Sequence, residues 1–100
     1  MSVRDWMRKV RDLARSKGFY QRGEFDERYV DEWIDLNKPD LCRVLVSKSS
    51  LVNLKDRLPV YIEVVKDDKY TSVTYYVKPM EPEEFVNWVI KTCMEVKKKL

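Results

Sequence analysis

From Asp40 onward the hydrophobic residues of this chain recur every second position, and that period is the strongest constraint on its fold. "LCRVLVSK" places Cys42, Val44 and Val46 on one side, "PVYIEVVK" places Val60, Ile62 and Val64 on one side, and "TSVTYYVK" does the same with Val73, Tyr75 and Val77. Side chains of an extended chain alternate between faces, so three β-branched, aromatic-rich runs of this kind predict three strands, each with one buried face. "KDDK" between the second and third runs reads as a tight hairpin turn, which makes those two strands antiparallel neighbours. The link "SSLVNLKDRLP" between the first two reads as a short helical turn.

Both ends of the chain change period. In "SVRDWMRKVRDLARSK" the residues Val3, Trp6, Met7, Val10, Leu13 and Ala14 recur at three and four, the spacing of one helical face. Ser2 with Asp5 resembles a capping box, and Gly18 is placed to end the helix in a left-handed conformation. "EPEEFVNWVIKTCMEVKKKL" opens with Pro82 and acids, closes on Lys97 to Lys99, and carries Phe85, Val86, Val89, Ile90, Cys93 and Val96 on one side. Its charges complement the helix dipole at both ends. "EFDERYVDEWIDLNKP" supports two readings. On a helical wheel Phe25, Tyr29, Val30, Trp33, Ile34 and Leu36 share one half, with Asp26 as cap and Pro39 beyond the end; as a strand, Val30, Ile34 and Leu36 share a face that Glu32 interrupts. The helix is preferred. The expected fold is therefore α+β: a helix, a second helix, a three-stranded mainly antiparallel sheet and a C-terminal helix, with the helices packed on the sheet as one domain over residues 1–100.

Composition narrows the chemistry. The 100 residues are 44% hydrophobic and include three Trp, six Tyr and three Phe, enough for a packed core. A charged fraction of 37% suits a heat-adapted intracellular protein. No apolar stretch of membrane-spanning length or signal-peptide core occurs, so a cytoplasmic chain without membrane contact is expected. There is no histidine, which removes histidine-based nucleophile pairs and histidine zinc sites. Glycine occurs only at Gly18 and Gly23, so no glycine-rich phosphate loop or nucleotide cofactor is expected. Cys42 and Cys93 lie far apart in apolar runs and read as free buried thiols. Trp6, Trp33 and Trp88 read as core, with Trp33 the best placed to anchor an interface.

Charge is unevenly distributed around a net +3: residues 1–18 hold six basic and two acidic side chains, whereas residues 24–40 hold seven acids and two bases. Arg4, Arg8, Arg11 and Arg15 fall within about 60° on the wheel and form a candidate phosphate track for DNA or RNA. The acidic segment could instead receive the arginine row of a second copy, giving a homodimer. Solvated i, i+4 pairs such as Arg8 with Asp12 are the bland alternative.

The order "VRDLARSKGFYQRGE", "KPDLCRVLV", "PVYIEVVKDD", "VTYYVKPMEPEEFVNWV" resembles the PD-(D/E)XK nuclease core, in particular archaeal Holliday junction resolvases, over about three quarters of the chain. The resemblance implies Asp40 and Glu63 as binding residues for magnesium or manganese. The family's lysine position falls on Val65, with Lys66 the nearest lysine. On an unbroken strand Glu63 and Lys66 point to opposite faces, and only a β-bulge between them would bring them together. The expected function is a small non-catalytic nucleic-acid-associated protein. A protein-interaction module or homodimer comes second, and a metal-dependent nuclease using Asp40, Glu63 and Lys66 third; no cofactor is expected unless the nuclease reading holds.

Overall fold

A computed structural model describes residues 2–21, 33–47 and 57–100. Helix α1 spans Val3–Ser16, and the Ser2 hydroxyl accepts from the Asp5 amide at 3.1 Å as the capping pattern predicts. It ends at Gly18, whose φ of 95° lets its own N–H donate to the Arg15 carbonyl and the Phe19 N–H to the Ala14 carbonyl. This paired closure of the last turn needs a left-handed residue, which glycine adopts without a Cβ penalty. Helix α2 spans Pro82–Lys98, with Pro82, Glu83 and Glu84 in its first turn and Lys97 and Lys98 in its last.

Among the described residues the sheet has five strands where the sequence predicts three. They are β1 (Tyr20–Gln21), β2 (Trp33–Lys38), β3 (Cys42–Ser47), β4 (Leu58–Lys66) and β5 (Lys69–Val77), and they pair in chain order with every neighbour antiparallel. The three expected strands are β3, β4 and β5, and the KDDK turn joins the last two through Asp67 at φ 54° and Asp68. The helix expected over "EFDERYVDEWIDLNKP" is corrected: Trp33–Lys38 is extended and pairs with all of β3. Once β3 exists, alternation of Ile34 and Leu36 inward with Asp35 and Asn37 outward outweighs the helical wheel, because the ladder to β3 engages all six residues of the strand. Phe25, Asp26, Tyr29 and Val30 lie outside the described residues, as does most of the link "SSLVNLKDRLP" in which a helical turn is expected; of its described end, Leu58 and Pro59 belong to β4.

Both helices cover one face of the sheet. Leu36, Val44 and Ile62 form a buried row across β2, β3 and β4, with Leu58, Val60 and Val64 also buried along β4. Met7, Val10 and Ala14 of α1 and Phe85, Val86, Val89 and Cys93 of α2 close over them. Burying each of the larger side chains contributes roughly 1.5–3 kcal/mol, which is what fixes the sheet's register against a one-residue slip. Trp6 and Trp88 flank Phe85 at ring separations of 5.0 and 6.1 Å, and the Trp6 indole donates to the Met80 carbonyl at 2.7 Å.

The cysteines are not free. Cys42, at the start of β3, and Cys93, on the inward side of α2, form a disulfide with Cα atoms 6.0 Å apart. Each points into the core as its local pattern predicts; what the pattern lacks is that the two inward faces meet. Lys97 adds a second tie between the same elements by donating to the Asp40 carbonyl. Among the described residues no helix is long and apolar enough to cross a membrane.

Candidate functional site

Among the described residues nothing covers the face of the sheet away from the helices, and its composition differs sharply from that of the buried face. Register places Tyr20, Asn37, Arg43, Glu63 and Ser72 in a single row that crosses all five strands. Beside it run Asp35, Leu45, Tyr61 and Thr74. Tyr70 and Tyr76 occupy the same side of β5, opposite Val65 and Pro59. Tyr20, Tyr70 and Tyr76 are 50%, 58% and 63% exposed, and Val65 is 58% exposed. Phenol rings held on a flat pleated surface are rigid, apolar on their faces and polar at their tips.

A chain of polar contacts sets the geometry at the centre. Arg43 makes two parallel hydrogen bonds to Asp35, Nε to Oδ1 and Nη2 to Oδ2, each 3.0 Å. Its Nη1 lies 3.7 Å from Glu63 Oε2, and the Tyr61 hydroxyl donates to that oxygen at 3.1 Å. The Tyr61 and Tyr70 hydroxyls are also hydrogen-bonded at 3.1 Å. The forked bond to Asp35 is the main reason the Arg43 pKa is raised above its ordinary value, with the Asp35 and Glu63 charges adding to it against partial desolvation. Tyr61 is likewise held protonated above the usual phenol range, first by Tyr70, while Ser72 opposes the shift. Asn37 Nδ2 donates to the Tyr20 hydroxyl at 3.0 Å. Together these bonds join residues of all five strands and orient the rings of Tyr20, Tyr61 and Tyr70, and they set the Arg43 cation against two carboxylates in the middle of the face.

At one end of this face lies an open recess of about 250 Å³ between Tyr20, Asn37, Lys38, Arg43, Glu63 and Val65. The turn between β2 and β3 contributes Pro39 and Leu41 to its wall, but not Asp40. Lys38 is tethered at its rim, donating to the Lys17 carbonyl at the end of α1 at 3.1 Å.

The residues singled out in the sequence are distributed differently. Arg4, Arg8 and Arg15 are exposed on α1, but Arg11 is only 5% exposed and sits with Met7, Val10 and Ala14 on the buried side, so the row of four is broken in its middle. The wheel places Arg11 at the boundary of polar and apolar arcs; the packing of α1 turns that boundary inward. Asp40, Glu63 and Lys66 are not brought together. The β4–β5 ladder runs one-to-one from Leu58 and Val77 to Lys66 and Lys69 without a skipped residue, so no bulge intervenes and Glu63 lies on the open face. Lys66 lies on the helix side, lining a separate recess with Leu41, Met94, Lys97 and Lys98. Asp40 is exposed in the β2–β3 turn. Among the described residues no group of three or more Cys, Asp or Glu side chains is arranged to hold a metal ion.

Tyr20, Tyr61, Tyr70, Tyr76 and Arg43 are the functional candidates that sequence reasoning misses. For Tyr61, Tyr70 and Tyr76 the signal was present in the outward half of the alternation in β4 and β5, where a solvated face usually carries charged and small polar residues. No protein-family model, curated protein or solved structure matches the chain, so the physical character of this face carries the functional reading alone.

Proposed function

We propose that the protein is a small non-catalytic nucleic-acid-binding module whose ligand is single-stranded and lies across the open sheet face. One observation carries this reading: four tyrosines stand on a sheet face that no other described element covers, while two helices seal the opposite face. Unpaired bases stack on such rings irrespective of sequence, each stack contributing about 1–3 kcal/mol. Duplex bases, already stacked on each other, offer no such faces. Arg57, exposed beside β5, and Lys38 and Lys78 at the margins supply charge for the phosphates, while the Arg43 charge is absorbed by Asp35 and Glu63. Few phosphates are therefore neutralised, and binding is expected to weaken only modestly with salt.

The test is fluorescence anisotropy with labelled oligo-dT, oligo-U and a duplex of equal length at low salt. Tyr70→Ala and Tyr76→Ala are each expected to weaken single-strand binding about tenfold, equivalent to roughly 1.4 kcal/mol. A paired Arg4→Glu and Arg8→Glu variant on α1 is expected to have little effect. Loss of binding in the arginine variant with none in the tyrosine variants would return the site to α1. No binding to any of the three probes would end the reading. A protein-interaction role is the second reading, favoured by the outer edge of β5, which among the described residues pairs with no further strand.

A further inference from the structure

Strand β5 is nine residues long and terminal in the sheet, and its interior, "YTSVTYYV", contains no charge, no proline and no bulge. Edge strands of that length are normally blunted by one of those devices, because their outward N–H and C=O groups can pair with another chain. The two-residue turn fixes which groups are free. Lys66 and Lys69 close it as a hydrogen-bonded pair, so Thr71, Val73 and Tyr75 direct their backbone groups at β4, and Tyr70, Ser72, Thr74 and Tyr76 direct theirs outward. Pro59 fits this parity: facing Tyr76, it sits where no N–H is needed toward β5.

We infer that β5 is a homodimer interface, pairing antiparallel with β5 of a second copy about a two-fold axis through Val73. Three features select a second copy as the occupant, and this register. The axis lies at the midpoint of the strand, so overlap is complete. All four outward-facing residues meet outward-facing partners, Tyr70 with Tyr76 of the partner subunit and Ser72 with Thr74 of the partner subunit, and each exchanges both backbone hydrogen bonds. The flanking charges are self-complementary: Asp68, exposed in the turn before the strand, falls opposite Lys78 of the partner subunit, exposed just after it. Shifting the axis by one residue to Ser72 would set Asp68 opposite Tyr76 of the partner subunit, and shifting it to Thr74 would set Lys78 opposite Tyr70 of the partner subunit; both lose the two ion pairs. The Arg57 guanidinium, 3.4 Å from the Tyr76 carbonyl, is the group that yields at the end of the seam. The dimer would be a continuous ten-stranded sheet, with tyrosines of the two copies adjacent on its open face; their value as a longer stacking surface rests on the proposed nucleic-acid reading, whereas the pairing itself does not.

The experiment is sedimentation equilibrium of the full chain without nucleic acid over a wide concentration range. The native chain is expected to approach twice its 12.1 kDa mass. Asp68→Lys and Lys78→Asp, each creating like-charge contacts across the axis, are expected to weaken dimerisation at least tenfold, and the double variant Asp68→Lys/Lys78→Asp to restore it. Both sites are exposed and outside the core, and far-ultraviolet circular dichroism checks that each variant is folded. Thr74→Pro, which removes an outward N–H without touching the β4 ladder, is expected to be monomeric. A monomer at every concentration overturns the inference, as does a dimer indifferent to Thr74→Pro or one that the double charge swap does not rescue. Anisotropy on the Thr74→Pro monomer, which keeps Lys78 and the charge of the face, separates the two proposals: single-strand binding that persists in that monomer leaves the sheet-face reading standing.

Discussion

Replacing Cys42 and Cys93 by alanine, or reducing the bridge between them, removes a cross-link that closes a loop with a sequence separation of 51. In the chain-entropy model the constraint on the unfolded state is worth about 4 kcal/mol for a loop of this length. Both side chains are almost fully buried, Cys42 at 4% and Cys93 at 0% exposed, so the alanine pair also loses the packing of two sulfur atoms. Reduced native protein isolates the cross-link, since it keeps both sulfurs. For a domain of this size, about 4 kcal/mol corresponds to a fall in melting temperature of roughly 15 °C or more. The assay is thermal unfolding followed by circular dichroism for three samples: oxidised, reduced under denaturing conditions and refolded with reductant, and Cys42→Ala/Cys93→Ala. The expected order of stability is oxidised, reduced, alanine pair, with the first gap larger than the second. Thiol titration of the denatured, unreduced protein should find no free thiol. Two free thiols in that titration, or equal midpoints for oxidised and reduced chains, would refute the reasoning that β3 and α2 are covalently joined.

Gly18→Ala is expected to destabilise the fold by about 1–2 kcal/mol in urea unfolding. The cause is backbone strain at φ 95° and not a clash, because the added Cβ would lie 3.5 Å from Lys38 Cε, an ordinary contact. Asp35→Asn or Arg43→Gln should cost no more than about 1 kcal/mol, since both side chains remain partly solvated, and a double-mutant cycle should return a coupling of that order. Because the Tyr61 pKa is raised in the folded state, its contribution is fully present below the ordinary phenol value near 10 and is lost as pH rises through the folded value. Denaturant titrations above that pH should therefore show a steeper loss of stability in the native chain than in Tyr61→Phe. Glu63→Ala is expected to leave the chain folded and to remove no magnesium- or manganese-supported cleavage; a metal-dependent nuclease activity abolished by that substitution would contradict the separation of Glu63 from Lys66.

How much was legible in the sequence divides along physical lines. Contacts between residues close in sequence were legible: the Ser2 cap, the Gly18 closure, the Pro82 start of α2, and the inward sides of β3, β4 and β5 all follow from three- and four-residue or two-residue spacing. Features that need two distant segments to meet were not. Strand β2 exists because β3 offers it a complete ladder, and its own six residues, "WIDLNK", do not settle between the two periods. The disulfide is the meeting of a strand face with a helix face that were each read correctly. The row from Tyr20 to Ser72 is assembled from five strands and appears in no single stretch of sequence. Arg11 shows the opposite failure: its position on the wheel was right, but how far the apolar arc sinks into the core is decided by α2 and the sheet.

That division explains why the pleat of β4 matters more than the motif that first draws attention to it. Glu63 and Lys66 are three residues apart, an odd separation, so a regular strand must send them to opposite faces. Here the separation is enforced from both sides. Val64 is fully buried beneath the helices, so sliding the strand by one residue would expose Ile62 and Val64 and bury Glu63 in their place. The lost burial of two aliphatic side chains, roughly 3–6 kcal/mol, is comparable to the whole stability of many small domains. A bulge between Glu63 and Lys66 would avoid that cost but break the pairing of Val65 with Tyr70, and with it the strand regularity that leaves β5 straight along its outer edge. The arrangement that keeps Lys66 from Glu63 is thus the same one that holds Tyr61, Tyr70 and Tyr76 outward in register. A chain with this core gains a rigid aromatic face at the positions where a carboxylate–lysine cleft would have required an interrupted strand.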